Sequence, residues 1–491
     1  MSIYTKDQYI ESLKGLKRNA FILGERVEDI VNHPINKPAV NAIAESYLLA
    51  DERREEGIAN TISHLTGEPV NRYNALNMSV EDLVARGEME RVMGSRTSAG
   101  CPRSTGLDAI NALYSVAFEV DQKHGTGYLE RFKNWLRRVE ENDLAVSGAM
   151  TDVKGDRSKR PSEQDDPDMY VRVVKEDSEG VVVRGAKAHQ TGAVNCHEHL
   201  VMPTRGMRES EADYSICFAI PIDTPGLYHI YGRQPSDTRK LETDASIDLG
   251  LSRFGGCETL MVFDDIFVPW ERVFLCGETE FTWPLVNRFA IGHRSSYGVA
   301  GAGVGDVIIG AIVSMAESNG IIKDKIVWDK IADMIIMSET LYGLGLSSMV
   351  KGKPTPSGIY LADYVLGGVA KYNATVLPFL MCRIAQDICG GLVATMPSEM
   401  DLRNEEVGGF IGKYLKGVSH IPTEDRMRMI RLIECMSLGT FSADLLTMGL
   451  HGAGSPYPQK MMVLNDYRER IPKLVQLAMY HAGIIDEIDF P

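Results

Sequence analysis

The spacing of hydrophobic residues divides the chain into three segments. From residue 1 to 142, stretches such as EDLVARGEMERVMGS and LDAINALYSVAFEVDQ repeat apolar residues every three or four positions, which predicts helices. After Asp143 the period shortens, and DMYVRVVKEDSEGVVVRGAKAH has two β-branched runs around a polar turn, which predicts a hairpin. We therefore expect an N-terminal helical domain over 1–142 and a β domain, a small barrel or sandwich, over 143–280.

The helical period returns at residue 281 and dominates the rest of the chain. DKIADMIIMSETLYGLGLSSMV and DRMRMIRLIECMSLGTFSADLLTMGL are apolar on most of their faces, so these helices need burial on several sides. Residues 281–491 are predicted to form a helical bundle that also packs against neighbouring subunits. Helices, strands and helices in separate blocks predict the α+β class, because an α/β fold would alternate them. The GAGVGD at 301–306 departs from G-x-G-x-x-G and follows no strand, so it predicts close helix packing.

Composition and charge exclude several classes of partner. The chain has 491 residues and a formal net charge of −15, which disfavours nucleic acid and anionic membranes because both attract clustered Lys and Arg. No uninterrupted apolar run reaches about 18 residues, so we expect no membrane span, and the N-terminus lacks the apolar core of a secretory signal. Eight scattered cysteines without a C-x-x-C pair are typical of reduced thiols. We expect a cytoplasmic protein.

A histidine-rich stretch, RGAKAHQTGAVNCHEHLVMP, suggests a metal site at first sight. In a strand, His197 and His199 would share one face while Cys196 points to the other. No second cluster with matching ligand spacing exists in the sequence. We therefore expect no metal site here.

Six blocks of the sequence resemble a known flavin-dependent superfamily. They read ENDLAVSGAMTDVKGDRSKRPSEQDDPDMYVRVV, GVVVRGAKAHQTGAVNCHEHLVMPT, FGGCETLMVFDDIFVPWERVFLC, RFAIGHRSSYG, AQDICGGLVATMPSEMD and HGAGSP. The superfamily contains 4-hydroxyphenylacetate 3-hydroxylases and 4-hydroxybutyryl-CoA dehydratase, and the blocks are most similar to the dehydratase branch. This resemblance implies an acyl-CoA dehydrogenase-like fold, FAD as the cofactor and a homotetramer.

The resemblance also implies which residues bind the flavin. A loop of the β domain would line the cofactor, a strand end would lie along the isoalloxazine, and a glycine turn would receive the adenylate part from a neighbouring subunit. Glycine suits close approach of backbone to a ligand, and polar groups suit the ring edge and the pyrophosphate. The implied residues are Ala149, Met150, Thr151, Lys154 and Asp156 in the loop, His189, Gln190 and Thr191 along the ring, and Gln386, Gly390 and Gly391 in the turn.

The sequence departs from the dehydratase branch at the iron–sulfur ligands. That branch holds a four-iron four-sulfur cluster with three cysteines and one histidine. At the cysteine positions this chain has Gly100, Ser104 and Ala300, and only His293 is retained. Cys101 is one position away, and one thiolate with one imidazole does not supply four iron ligands. We expect FAD without an iron–sulfur cluster.

Other polar positions agree only in part with either branch. Thr191, Glu258 and Tyr297 match the dehydratase, whereas a lysine becomes Gly301 and a glutamate becomes Met448. The hydroxylase branch binds a phenolate with an arginine, a tyrosine and a histidine. Arg103 matches the arginine, but Gly148 stands at the histidine position, and the tyrosine has no evident counterpart.

His293, in IGHRSSYGVA, admits three interpretations. As a metal ligand it lacks partners; as a core histidine it would need hydrogen bonds from groups such as Ser295, Ser296 or Glu258. As an acid–base group above the flavin it has Tyr297 four residues on, which is the same face of a helix. An imidazole exchanges protons near neutral pH, so we favour the third interpretation.

These observations favour a FAD-dependent oxidoreductase. The first hypothesis is a two-component monooxygenase, in which a flavin reductase supplies reduced FAD and dioxygen hydroxylates a phenolic or similarly activated small molecule. The alternative is a cluster-free lyase or vinylacetyl-CoA Δ-isomerase acting on a CoA thioester, and a third possibility is a flavin-binding paralogue without catalysis. The predicted catalytic residues are Arg103, Glu258, His293 and Tyr297.

Overall fold

The N-terminal segment is mostly helical, as its periodicity predicts. The computed structural model describes residues 3–52, 57–234, 236–242, 246–251 and 253–487. In α1, the Thr5 hydroxyl accepts from the Gln8 amide while the Gln8 side chain accepts from the Thr5 amide, so both ends of a capping box are made. The helices are α1 (Lys6–Lys14), α2 (Lys37–Glu52), α3 (Val80–Thr97), α4 (Ser104–His124) and α5 (Tyr128–Glu141).

Short strands interrupt this helical segment, which the sequence did not predict. They are β1 (Asn19–Ile22), β2 (Glu25–Arg26), β3 (Asn60–Ile62) and β4 (Pro69–Asn71). β3 and β4 form a small antiparallel ladder of their own, but β1 pairs in parallel with a strand of the β domain. β1 and β2 therefore belong to a sheet whose other strands all follow the boundary predicted at residue 142.

The β domain consists of two sheets. Its strands are β5 (Val146–Ala149), β6 (Arg172–Glu176), β7 (Gly180–Thr191), β8 (Glu198–Val201), β9 (Ile216–Pro221), β10 (Leu227–Tyr231), β11 (Glu258–Pro269) and β12 (Val273–Cys276). One sheet has the order β2-β1-β10-β11-β7-β6 and the other β12-β9-β8-β5. β6 and β7 pair antiparallel, which confirms the predicted hairpin.

The two sheets pack face to face around one apolar core. Val181 and Phe263 come from the larger sheet, and Val201 and Phe218 from the smaller; all four side chains are buried. Alternate strand residues point inward, as expected for a half-buried sheet. Within the described residues neither sheet closes on itself, so the architecture is a sandwich and the predicted alternative of a barrel is not seen.

Helices resume at Thr282 and form the C-terminal part. They are α6 (Thr282–Ser318), α7 (Lys325–Val350), α8 (Tyr364–Ala374), α9 (Leu377–Cys389), α10 (Leu392–Thr395), α11 (Glu399–Arg403), α12 (Gly408–Tyr414), α13 (Thr423–Ser437), α14 (Thr440–His451), α15 (Pro456–Tyr467) and α16 (Ile471–His481), with a two-residue ladder of β13 (Lys353–Pro354) and β14 (Tyr360–Leu361) after α7. The predicted order of helices, strands and helices is therefore confirmed.

α6 is the central helix of the molecule. It packs against α3 and α4 of the N-terminal part and against α7, α8, α9 and α13 of the bundle. By length and composition alone, α6 and the stretch Tyr364–Cys389 are apolar enough to cross a membrane, but half of the apolar window in α6 is already buried inside this chain. A core helix of a globular domain passes the same test.

The glycine-rich part of α6 lies at the crossing with α3. A β-carbon at Gly303 would overlap the Arg91 carbonyl oxygen and lie 2.8 Å from the Ser95 amide nitrogen. A β-carbon at Gly94 would likewise overlap the Ala300 carbonyl oxygen. The glycines of GAGVGD therefore allow two helix backbones to touch, which is the packing role that the sequence predicts.

Candidate active site

An apolar cavity lies where the three parts of the chain meet. It encloses about 210 Å³ between the α3–α4 connection, α6, the start of β11 and helices α13 and α14. Most of its wall is apolar, and its polar side chains are few. The side chains with chemistry to offer are Glu90, Cys101, Ser104, Thr191, Glu258, His293, Tyr297 and Asp444.

His293 enters the cavity wall from α6 with a carboxylate behind it. Its Nδ1 lies 2.9 Å from Asp108 Oδ2 on α4, and Asp108 Oδ1 accepts a hydrogen bond of 2.5 Å from Arg86 on α3. Gly292 permits this approach, because a β-carbon there would overlap the Asp108 carboxylate. His293 is thus held through Nδ1, and Nε2 has no hydrogen-bond partner among the described residues.

Asp108 is not the partner that the sequence predicts for a core histidine. Ser295 and Ser296 donate their hydroxyl protons to carbonyl oxygens of α6 itself, and no bond joins Glu258 to His293 in the described structure. An imidazole oriented by a buried carboxylate, with the other nitrogen facing a cavity, is the arrangement of an acid–base or ligand-positioning group. This geometry supports the third interpretation of His293.

Tyr297 lies one helical turn beyond His293. The two rings meet edge to face with centroids 4.9 Å apart, so the predicted shared face is confirmed. The Tyr297 hydroxyl donates to the Met448 carbonyl oxygen at 3.2 Å, and burial raises the pKa of the phenol. Lys371 Nζ lies 3.8 Å from the Tyr297 ring centroid and donates to the Gly449 carbonyl oxygen. Burial and the neighbouring Arg294 lower the pKa of Lys371 to about 7.

Glu258 brings a carboxyl group into the cavity at the start of β11. The Thr191 hydroxyl donates to its Oε2 at 3.0 Å, because Glu258 and Thr191 are cross-strand partners on β11 and β7. Burial raises the pKa of Glu258 well above its ordinary value, and the nearby Asp444 carboxylate raises it further. Both effects favour the protonated form of Glu258.

Arg103 does not line the cavity, contrary to the predicted role in binding substrate. Its guanidinium is buried, donates to Ser46 Oγ and Asn74 Oδ1 at 3.2 Å each, and lies over the rings of Tyr47 and Tyr73. An Asp143 carboxylate oxygen is 3.6 Å away. A buried polar network already engages both terminal nitrogens of this guanidinium, so the geometry gives no support to phenolate binding by Arg103.

The structure brings the first two groups of predicted flavin residues together. Ala149 ends β5 and leads to Met150 and Thr151, while His189, Gln190 and Thr191 end β7. The Ala188 amide donates to the Thr151 carbonyl oxygen at 2.8 Å. Lys187, buried beside Met150, pairs with Asp152 at 2.7 Å and donates to the Met150 carbonyl at 2.9 Å. These bonds fix the loop against the strand end beside the cavity.

The same loop collects positive charge without matching carboxylates. Burial lowers the pKa of both Lys154 and His189, and neighbouring cations, Arg157 among them, lower both further. His451, at the end of α14, is a further positive neighbour of His189. Asp152 is already paired with Lys187. Cations held close together without counter-charges fit an anionic group such as a pyrophosphate.

The remaining predicted flavin residues lie elsewhere. The Asp156 carboxylate is exposed and accepts from the Ser158 amide at 2.9 Å and from its hydroxyl at 2.7 Å, so it closes its own turn. Gln386 on α9 donates to the Ser437 carbonyl oxygen at 2.9 Å. Gly390, with φ of 75°, and Gly391 are exposed beyond the end of α9. No hydrogen bond within the described chain joins these four residues to the Met150–Lys154 loop.

The positions that would hold cluster cysteines all line the cavity. Gly100, Ser104 and Ala300 face the same space as His293 and the buried thiol of Cys101. The Ser104 hydroxyl donates to Glu90 Oε1 at 2.6 Å, and burial raises the pKa of Glu90 to about 7. No group of three or more His, Cys, Asp or Glu side chains among the described residues is arranged to hold a metal ion. This donor set does not fit a four-iron cluster.

The histidine-rich stretch folds differently from the predicted strand alternation. His197 precedes β8 and faces α1, where its Nε2 is 2.8 Å from Ser12 Oγ and its Nδ1 accepts from the Ala145 amide. Cys196 and His199 are neighbours instead, with Sγ 3.5 Å from Nδ1. The expectation that Cys196 lies opposite His199 is therefore wrong, because the strand begins only at Glu198.

Sequence reasoning missed Asp108, Asp444, Glu90 and Lys371. Asp108, Asp444 and Lys371 are ionisable residues in otherwise apolar helical stretches, such as LDAINALYSVAF around Asp108 and ADLLTMGL around Asp444, whereas Glu90 lies in a charged stretch. That pattern is a usable signal, because a charge on a buried helix face needs a partner or a function. Their partners come from distant segments, so the sequence alone does not pair them.

The chain has helices, then strands, then helices, and these parts meet at an apolar cavity with acid–base groups in its wall. This arrangement defines a class of α+β enzyme fold. Two family models match the chain: the 4-hydroxyphenylacetate 3-hydroxylase N terminal model over residues 5–275 and the C terminal model over residues 284–478. The chain belongs to this 4-hydroxyphenylacetate 3-hydroxylase family.

Individual relatives fall on both branches of the family. The 4-hydroxybutyryl-CoA dehydratase/vinylacetyl-CoA-Delta-isomerase of Clostridium aminobutyricum is 44% identical over 98% of this chain and 100% of its own. A solved oxygen-tolerant archaeal 4-hydroxybutyryl-CoA dehydratase from N. maritimus superposes with a TM-score of 0.95 at 45% identity, covering 100% of this chain and 97% of that one. The oxygenase component of 4-hydroxyphenylacetate 3-monooxygenase, solved with FAD, gives a TM-score of 0.85 at 25% identity, covering 99% and 100%.

Proposed function

We propose that this protein is a FAD-dependent, redox-neutral enzyme that moves a double bond within an acyl-CoA thioester, as a vinylacetyl-CoA Δ-isomerase does. The observation that carries the proposal is the cavity itself, which gathers a carboxyl group whose pKa is raised by burial, an oriented imidazole and a phenol in an apolar wall. The relative at 44% identity carries this activity in its name. This proposal reverses the order of hypotheses that the sequence favours, because Arg103 lies outside the cavity.

The cofactor proposed is FAD. Lys154, Arg157 and His189 would hold its pyrophosphate, and Met150, Thr151 and Gln190 would lie along the ring, next to the cavity. Gly390 and Gly391 are exposed beyond the end of α9, with the half-buried Gln386 in its last turn, which supports a role in completing the site of a neighbouring subunit. When bound, FAD supplies an electron-accepting ring beside the acyl chain.

We infer that this chain works without an iron–sulfur cluster. The positions Gly100, Ser104 and Ala300 offer no thiolate, and Ser104 is bonded to Glu90. Dehydration of an unactivated hydroxyacyl chain needs a Lewis acid to draw off the hydroxyl group, and the residues present do not supply its ligands. A double-bond shift needs only proton transfers at two carbons, for which the cavity has groups.

Each polar group of the cavity has a proposed role that follows from its surroundings. Glu258, kept neutral by burial, donates a proton to carbon. His293, held through Nδ1 by Asp108, presents Nε2 to the thioester carbonyl and positions it. The apolar remainder of the wall excludes water, which strengthens both interactions. Tyr297 packs edge to face against His293 and keeps its ring in place.

The second candidate is the two-component monooxygenase. The family models and the FAD-bound 4-hydroxyphenylacetate 3-monooxygenase support it, and it would need a separate reductase to supply reduced flavin. It is tested by supplying reduced FAD, dioxygen and a panel of phenols. Catechol formation coupled to oxygen uptake would favour the monooxygenase over the isomerase.

The isomerase is tested with vinylacetyl-CoA under anaerobic conditions. We expect the FAD-loaded protein to form crotonyl-CoA, and Glu258→Gln to lower the rate by about 100-fold or more, because general acid catalysis contributes about that much. Glu271→Gln is the matched control, since Glu271 is exposed on the β domain, and its rate should equal that of the wild type. Iron, assayed in the same preparation, should be far below one atom per chain. No conversion by the wild type, or stoichiometric iron and sulfide, would contradict the proposal.

A further inference from the structure

Asp444 is an ionisable group of the cavity wall without a role in the chemistry above. It lies on α14 and shares the cavity with Glu258. A β-carbon at Gly256 would be 3.2 Å from Asp444 Oδ2, so the carboxylate reaches the backbone two residues before Glu258. No described residue donates a hydrogen bond to it. A carboxylate without a donor, beside an apolar cavity, is free to act on a ligand.

The two carboxyl groups have different electrostatic surroundings. Glu258 accepts one neutral hydrogen bond from Thr191, and both burial and the Asp444 charge raise its pKa. Burial also raises the pKa of Asp444, but the nearby Lys240 opposes this, and the result is about 6. Burial and the Asp444 charge thus favour the protonated form of Glu258, whereas a pKa of about 6 leaves Asp444 mostly ionised at neutral pH. Two neighbouring carboxyl groups whose surroundings give them different pKa values are suited to act as an acid and a base.

We propose that Asp444 is the catalytic base and Glu258 the catalytic acid of the double-bond shift, an assignment that rests on the proposed isomerase function. Asp444 takes the proton from C2 of the 3-enoyl thioester, and the electron pair of that C–H bond becomes the C2–C3 double bond. The C3–C4 π pair forms a new C–H bond at C4 with the proton of Glu258. The proton on Asp444 then passes to Glu258, so that one C–H bond is broken, one is formed, and no oxidant is consumed.

Hydrogen exchange at C2 separates the two roles. Vinylacetyl-CoA is incubated with FAD-loaded protein in D₂O, and deuterium in recovered substrate and product is located by NMR. We expect Asp444→Asn to lose exchange at C2 by about 100-fold or more, which is the typical share of a general base. Glu258→Gln should keep exchange at C2 while losing crotonyl-CoA formation. Asp213→Asn, an exposed control on the β domain, should behave as the wild type.

A second test does not depend on how the asparagine variant folds. The rate should fall as pH drops through about 6, because Asp444 then binds a proton. Lys240→Met removes the positive charge that lowers the pKa of Asp444, so the acidic limb of the pH–rate profile should move to higher pH. The other titratable groups facing Asp444 are Cys257, just before β11, and Glu258, the first residue of β11, and His293 and Tyr297 of α6 line the same cavity.

The outcomes distinguish this assignment from the proposed function. If the wild type neither isomerises nor exchanges, the isomerase proposal fails. If the wild type is active while Asp444→Asn still exchanges at C2 at the wild-type rate, or if Lys240→Met leaves the acidic limb in place, then Asp444 is not the base. Flavin absorbance and the thermal unfolding midpoint of each variant show that a lost rate is not lost folding.

Discussion

The buried pair of Arg86 and Asp108 decides how His293 is presented. Both side chains are almost fully buried, at 2% and 0% exposure, and they meet at 2.5 Å. The Asp108 carboxylate bridges Arg86 and the imidazole, so it is at once a counter-charge and an orienting group. Removing one partner lowers the free energy of unfolding by more than the intact pair contributes to it, because one charge is left in the interior without a partner.

We expect Asp108→Asn to impair both stability and activity. The amide cannot neutralise Arg86, so the free energy of unfolding should fall by about 3 kcal/mol or more. The amide also no longer fixes Nδ1 of His293 as the protonated nitrogen, so kcat should fall about tenfold or more. Urea unfolding and steady-state kinetics measure the two effects.

Asp306→Asn is the matched control for that substitution. Asp306 also pairs with an arginine, Arg91, but the pair is solvent-exposed at 3.3 Å. Exposed ion pairs are worth about 1 kcal/mol at most, so both stability and rate should change little. A loss in Asp108→Asn no larger than in Asp306→Asn would contradict the role assigned to Asp108.

Single residues were predictable from the sequence where the interaction is local. The four-residue spacing of His293 and Tyr297 predicts a shared helical face, and their rings do meet. Asp108 and Asp444 were not predictable as site residues, since Asp108 meets His293 and Asp444 reaches the cavity only through the packing of helices that are far apart along the chain. For Arg103, the sequence resemblance predicted a contact with the ligand, but in the structure its guanidinium lies in a buried polar network away from the cavity.

The crossing of α3 and α6 is the element-scale feature on which the cavity depends. Gly303 brings the α6 backbone into contact with the Arg91 carbonyl, and Ala300 and Gly301, one turn away, line the cavity. The two helices therefore set the width of the cavity as well as the contact between the N-terminal and C-terminal parts.

We expect Gly303→Ala to force α3 and α6 apart. The added methyl would meet backbone atoms that cannot rotate away, so the free energy of unfolding should fall by about 1–3 kcal/mol. Gly310→Ala on the same helix meets nothing within 4 Å and should instead stabilise by about 1 kcal/mol through helix propensity. Thermal denaturation of both variants measures the difference. Equal effects of the two substitutions would contradict the close crossing.

Elements with a strong period were predictable, whereas short ones were not. The hairpin of β6 and β7 and the long helices follow from alternation and from the 3.6-residue repeat. β1 has four residues, NAFI, and its pairing with β10 is a tertiary event that local pattern does not encode. The choice between sandwich and barrel likewise depends on how the strand ends meet.

At the scale of the whole molecule, exposed apolar side chains are concentrated in the C-terminal helices. A soluble monomer rarely displays so many large apolar groups in one region, and such surfaces mark interfaces between chains. This surface supports the predicted oligomerisation role of residues 281–491. Its most exposed members are Ile326, Ile336, Met400, Phe410, Tyr414, Tyr457 and Ile484, at 62–72% exposure.

We expect light scattering to give a mass near four times the 54.3 kDa of one chain. Phe410→Asp should lower that mass and weaken FAD binding at the same time, if the glycine turn after α9 completes a neighbour's flavin site. Phe267→Asp, exposed on β11, should change neither property. A Phe410→Asp variant that becomes smaller yet binds FAD as the wild type does would place the whole flavin site within one chain.

The parallel pairing of β1 with β10 has a consequence for synthesis on the ribosome. Asn19 lies beside Tyr228, so the first strand to be translated waits for a partner about two hundred residues later. At roughly 5–20 residues per second, that interval lasts on the order of 10–40 s. During it NAFI, an apolar edge, is open to incorrect pairing. Nascent chains of this protein should therefore need a chaperone at their amino end until the sheet is complete.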